Sequence, residues 1–141
     1  MRAVRALLKN PNAPWSLNPQ DSVFEALQTL ASHDVGALMV MEQGKLVGIF
    51  SERDYTRKIA LLGKSSKETR VADIMTAKVL TVSADSRTED CMALMSQKKI
   101  RHLPVVDGDK VLGMISIRDI MDEIIADQEA TINQLQSYIA S

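Results

Sequence analysis

Two serines and two aspartates carry the most pointed chemistry in this chain. Ser51 and Asp54 stand three residues apart, and Ser116 and Asp119 repeat that spacing. Each serine sits where an apolar run ends and a helix-forming run begins. Backbone N–H groups at a helix start lack intrahelical partners and favour an anion, to which the hydroxyl adds a hydrogen bond. The carboxylate lies one helical turn further on. It accepts several hydrogen bonds and so suits a vicinal pair of hydroxyls. The same spacing is also a helix-capping pattern that needs no ligand.

Both pairs close a longer repeat. Lys45-Leu46-Val47-Gly48-Ile49-Phe50-Ser51-Glu52-Arg53-Asp54 is followed 65 residues later by Lys110-Val111-Leu112-Gly113-Met114-Ile115-Ser116-Ile117-Arg118-Asp119. The same offset aligns Ser16 to Asp54 with Thr81 to Asp119 without a gap, so the duplication sets the architecture. In the first copy, Asp21 to Ser32 has a helical apolar stripe that Asp21 or Ser22 caps. Ala37 to Met41 reads as a strand, Gln43-Gly44 as a hairpin turn, and Lys45 to Phe50 as the returning strand. The helix opened by Ser51 carries Asp54, Tyr55, Ile59 and Leu62. In the second copy, Val79 to Val82 reads as a strand and Arg87 to Gln97 as a helix. Leu103 to Val106 and Lys110 to Ile115 form a hairpin about Asp107-Gly108-Asp109. Pro104 lacks a donor and is expected at a strand start or edge. Each unit is thus β-α-β-β-α. One alone holds a thin core, and two together make a compact domain.

Bulk composition narrows the function. Hydrophobic residues are 45%, charged residues 25%, and the net charge is -1. No basic tract supports nucleic-acid binding, and no apolar run approaches the ~20 residues of a membrane span. The N-terminus shows no secretory apolar segment; Arg2, Arg5 and Lys9 with scattered apolar residues fit a short targeting helix or, in the favoured reading, a structural one, and cytoplasm is the expected compartment. Cys91, on an apolar helix face, reads as a buried small hydrophobe, and the many methionines as packing residues. Two distant histidines and one cysteine make no metal site. His33 receives no role. There is no P-loop and no dinucleotide fingerprint, so an enzyme is not expected.

Val4 to Leu8 resembles Val71 to Met75, each a short helical segment ahead of a repeat. Asn10-Pro11-Asn12-Ala13-Pro14 reads as a loop and Gly63 to Thr69 as a linker. After Asp119, Ile120, Met121, Ile124 and Ile125 make one stripe, and Ile132, Leu135, Tyr138 and Ile139 another. One long helix or two with a break near Asp127 both fit. The second stripe has no partner within the repeat, which points to a subunit interface.

The two copies, with Asp73-Ile74-Met75-Thr76, Thr81-Val82 and Ile100-Arg101-His102-Leu103-Pro104-Val105-Val106, resemble the cystathionine-beta-synthase-type (CBS) domain over residues 1 to 125. The chain looks like a standalone tandem pair, a Bateman module. The resemblance implies an α/β (α+β) fold of two pseudo-two-fold related repeats. Its parts would be residues 1–62, with the N-terminal helix; a linker, 63–70; the second repeat, 71–125; and a helical extension, 126–141. It implies a homodimer and clefts for an adenosine-containing ligand, with AMP first, then NAD, ATP or ADP, and S-adenosylmethionine. The function implied is energy or redox sensing without catalysis, through a change in dimer shape or partner contacts. The alternative is a constitutive scaffold with degenerate clefts. No direct contact with nucleic acid or membrane is implied.

Carried onto this sequence, Asp54 and Asp119 would hold ribose, and Ser51 and Ser116 phosphate, with Arg53, Arg118, Arg101 and His102 as nearby basic groups. The cleft of Ser116 and Asp119 would borrow Ser16 and the Gly36-Ala37-Leu38 backbone. The cleft of Ser51 and Asp54 would borrow Thr81 and Ile100-Arg101-His102, beside Pro104. Gly36-Ala37 stands where the second copy has Arg101-His102, so the clefts are expected to be unequal.

Overall fold

The computed structural model describes residues 2–8 and 14–140. Lys9 and the segment Asn10 to Ala13 therefore lie outside the described residues. The first lobe contains β1 (Ser16–Leu17), α1 (Val23–His33), β2 (Ala37–Glu42), β3 (Lys45–Ser51) and α2 (Glu52–Tyr55). A π-helical turn, Thr56–Ala60, continues α2. The short α3 (Val71–Ile74) leads to β4 (Val82–Ser83), α4 (Thr88–Lys98), β5 (His102–Asp107), β6 (Lys110–Ser116) and α5 (Ile117–Ala140). Each lobe has a three-stranded sheet, in the orders β1-β2-β3 and β4-β5-β6. The first pair of each sheet is parallel and the second an antiparallel hairpin.

Local sequence explains most of these elements. Ser22 caps α1 by accepting from the Glu25 N–H at 3.0 Å. Gln43 and Gly44 both have positive φ, the requirement of a tight hairpin turn, whereas the matching turn needs it only at Gly108. Both hairpins shift register at the same place, between Val40 and Met41 and between Val105 and Val106. The duplication thus preserves a β-bulge as well as the pleat.

Three local expectations need correction. The strand expected at Val79 to Val82 is only Val82–Ser83. In the first sheet Ser16 pairs Met39 and Leu17 pairs Val40. In the second, Val82 pairs Val105, but Pro104 has no partner on the β4 side. A proline supplies no N–H, so the ladder starts one residue later. Pro104 lies inside a central strand that is an edge only at that point. Leu62 is not on an apolar helix face: the π-turn ends at Ala60 and Leu62 is exposed. The tail is one continuous helix without a break at Asp127. Among the described residues, no helix is long and apolar enough to cross a membrane.

The core is divided between the lobes, and the flanking segments cross over. Val71 and Ile74 of α3 pack with Leu17, Val23, Leu38, Val40 and Phe50 of the first lobe. Val4, in a 3-10 turn (Val4–Leu7), packs with Cys91, Met95, Leu103, Val105 and Ile115 of the second. Hydrogen bonds repeat the arrangement: Val4 and Arg5 N–H donate to Ser86 and Ala84, while Val71 and Ala72 N–H donate to Asp21 and Pro19. Each lobe is thus completed by a segment lying before the other repeat. Fully buried Phe50 and Ile115 anchor equivalent positions, each contributing about 1.5–3 kcal/mol of burial free energy. Cys91 is buried as expected, and burial pushes its thiol pKa up.

Candidate functional site

Two cavities lie between the lobes, of 690 Å³ beside Asp119 and 500 Å³ beside Asp54. The larger is lined by Ala37, Leu38, Ser116, Arg118 and Asp119, and the smaller by Ser51, Arg53, Asp54 and Ile100. Gly36, Arg101 and His102 line both and form their common wall. The basic pair expected in one cleft thus belongs to the seam. Ser16, Thr81 and Pro104 line neither cavity. Ser16 and Thr81 are exposed, and Pro104 is buried in its sheet. Their neighbours Trp15 and Leu80 reach the cavities instead.

The two aspartates differ in what they already hold. Asp54 Oδ2 accepts from the Ser51 backbone N–H and hydroxyl, both at 3.0 Å. Its Oδ1 accepts from the Thr76 hydroxyl at 3.3 Å and pairs with Lys58 Nζ at 3.1 Å. A carboxylate has about four acceptor positions, so Asp54 is fully engaged. Asp119 accepts one hydrogen bond, from the Ser116 N–H to Oδ2 at 2.8 Å. Asp119 therefore keeps acceptor capacity toward its cavity. Ser51 and Ser116 both also cap their helices by accepting from the aspartate N–H, at 3.2 Å in each case. The capping role is present in both lobes, and only one carboxylate is left open beyond it.

The 65-residue offset pairs residues of opposite charge, both within the aligned block and just past the aspartates. Arg57 and Lys58 match Asp122 and Glu123, and Lys99 matches Asp34. Asp34 and Lys99 occupy the same left-handed helix-end position, at φ 54° and 56°. Asp34 and Asp122 line the larger cavity, whereas Lys99, Arg57 and Lys58 line the smaller. Lys78 joins the latter. Glu123 lines neither cavity and pairs instead with the exposed Arg2, Nε to Oε1 at 2.6 Å, which holds its carboxyl below the ordinary 4.5. The π-helical turn adds to the difference, since Arg57 and Lys58 lie within it. Such turns recur at functional sites.

His102 lies in the shared wall. Burial lowers its pKa below the ordinary 6.5, opposed by Asp119 and reinforced by Arg101. The imidazole is therefore neutral at neutral pH. His33, given no role from sequence, stacks on Trp15 with ring centroids 3.9 Å apart and planes at 17°. Both rings line the larger cavity. A tryptophan in the segment before a repeat was the available signal.

Known proteins place this arrangement. The CBS domain family model matches residues 5–61 and 71–126. An Arabidopsis thaliana relative, the CBS domain-containing protein CBSX3, mitochondrial, is 40% identical over 93% of this chain. The chain spans 66% of that relative's length. A crystal-structure neighbour with CBS domains from Burkholderia ambifaria is 43% identical, with a TM-score of 0.84 over 89% of this chain and 96% of its own. The CBS domain pair of protein MJ0100, solved in complex with 5'-methylthioadenosine and S-adenosyl-L-methionine, is 27% identical, with a TM-score of 0.79 over 90% of this chain and 98% of its own. With its two matched repeats and shared fold, the chain belongs to the CBS domain family.

Proposed function

We propose that this CBS pair is a regulatory module that binds an adenosine-containing ligand in the Asp119 cavity and catalyses nothing. The observation that carries this reading is the open carboxylate of Asp119 at the edge of a 690 Å³ cavity. Ribose hydroxyls would donate to its free acceptor positions. A purine would stack near Trp15 and His33, between apolar side chains such as Leu38 and Ile115. The adenosine ligands of the MJ0100 pair support the ligand class. AMP, NAD, ATP or ADP, and S-adenosylmethionine are the order of candidates from sequence. A ligand contacting both lobes changes their relation only if it binds two arrangements unequally.

The regulatory unit is a homodimer in this reading. Residues Ile125 to Ala140 of α5 are all exposed. Met121, Ile125, Ile132, Leu135 and Ile139 are each at least half exposed. With Gln128, they recur at alternating spacings of four and three. That is a coiled-coil seam, with Ile at three a positions and Leu at one d position, a combination that favours two strands. Deleting residues 129–141 is expected to convert dimer to monomer in analytical ultracentrifugation, and an intact dimer would remove the tail from the interface.

The ligand reading has a built-in reporter, because Trp15 is the single tryptophan. Titration with the adenosine compounds is expected to change Trp15 fluorescence and raise the melting temperature for at least one of them. No response to any would favour a scaffold with degenerate clefts.

A further inference from the structure

We propose that the cavity beside Asp54 is a site for a chain of two or more phosphates, while the Asp119 cavity takes the nucleoside. This rests on reading the clefts as ligand sites and extends it to the charge of what each one holds. Six cations line the Asp54 cavity: Arg53, Arg57, Lys58, Lys78, Lys99 and Arg101. Among the described residues, Glu52 and Asp54 are its carboxylates. Lys58 is committed to Asp54 and to the Ile74 carbonyl, 2.8 Å away. None of the other five forms an ion pair among the described residues. A concave wall carrying six cations against two carboxylates raises positive potential in the cavity. A polyanion relieves that field, and guanidinium forks match phosphate oxygens in pairs.

The other cavity argues the same point in reverse. Among the described residues, Asp34, Asp119 and Asp122 share that cavity with two permanent cations, Arg101 and Arg118. A phosphate chain placed beside three carboxylates is repelled. Asp54, with all its acceptor positions used, is a poor anchor for ribose hydroxyls. Duplication followed by charge inversion at Asp34 and Lys99, and at Asp122 and Arg57, has separated two recognition tasks.

Phosphate chains come from nucleoside di- and triphosphates or from inorganic polyphosphate. Calorimetric titration of the full chain with ATP, inorganic tripolyphosphate, inorganic phosphate and adenosine distinguishes them. We expect ATP or tripolyphosphate to bind more tightly than inorganic phosphate, with affinity falling as salt rises. Equal binding of the two assigns the site to the phosphate chain alone, and stronger ATP binding assigns it to the nucleotide. Arg57→Gln with Lys78→Gln, both exposed positions, is expected to weaken that binding about tenfold or more. Tripolyphosphate should leave Trp15 fluorescence unchanged. The proposal is overturned if the double variant binds as the wild type does, or if neither polyphosphate outbinds inorganic phosphate. A Trp15 response to adenosine in that case would leave the nucleoside reading standing. Tripolyphosphate binding without any adenosine response would instead defeat the nucleoside reading alone.

Discussion

The Asp54 and Asp119 clefts share a backbone plan and differ in chemistry. Both serines cap a helix, and both aspartates answer with a carboxylate oxygen on the serine N–H. One aspartate is then consumed by Thr76 and Lys58, while the other stays open. Around the first stand unpaired cations, and around the second carboxylates. A duplicated motif therefore conserves what the fold needs, the cap. In the proposed reading, the ligand is set by residues one turn beyond the motif and at the helix end opposite.

The comparison extends to the sheet. Gly48 and Gly113 occupy matching positions on β3 and β6. A Cβ on Gly48 would lie 2.6 Å from Met75 Sδ and 3.0 Å from the Thr76 carbonyl oxygen. On Gly113 the one described neighbour it would meet is Leu8 Cδ2, at 3.1 Å. The crowding reflects the segment after α3, where Ile49 and Thr76 exchange two backbone hydrogen bonds at 2.9 Å. Gly48→Ala should therefore cost about 2–3 kcal/mol in urea unfolding. Gly113→Ala should cost clearly less, because a leucine methyl yields more easily than backbone. Equal losses would show that the close approach at Thr76 is not a real difference between the lobes.

The aspartates should separate next. Asp54→Ala breaks the capping box and strands Lys58, a partly exposed partner. The expected loss is about 1–2 kcal/mol, mostly from the cap. Asp119→Ala removes one cap bond and should cost less than about 1 kcal/mol. A reversed order would contradict the assignment of Asp54 to structure and Asp119 to binding.

The smallest expected effect lies in the shared wall. His102 binds its proton less readily folded than unfolded. Below its ordinary pKa of 6.5 the unfolded chain takes up more protons, so the His102 contribution declines as pH falls through that value. His102→Gln should flatten the stability change between about pH 7.5 and 5.5. An unchanged slope would remove His102 as a sensor of the wall's charge.

Much of this contrast was readable in the chain. Periodicity and the 65-residue offset located α1, the two hairpins and both serine–aspartate pairs, because alternation and capping are local. Gly36-Ala37 against Arg101-His102 also announced inequality, though Gly36, Arg101 and His102 line both cavities and Ala37 only the larger. What was not legible was tertiary. The capture of Asp54 by Thr76 joins residues far apart in the chain, and no spacing rule reports it. The crossing of Val4 into the second core is likewise invisible to local pattern. Ser16 and Thr81 lie beside the cavity-lining Trp15 and Leu80, a difference of one residue that local pattern does not resolve. The inversion of Arg57-Lys58 to Asp122-Glu123 is legible in the sequence, one turn past the repeated motif.

Adenosine binding to the two aspartate variants, read by Trp15 fluorescence and calorimetry together, tests the central claim most directly. The account predicts that Asp119→Ala loses adenosine affinity by about 10- to 100-fold, the worth of one or more charge-assisted hydrogen bonds. It predicts that folded Asp54→Ala binds adenosine as the wild type does. Loss of adenosine binding in Asp54→Ala with full retention in Asp119→Ala would contradict it.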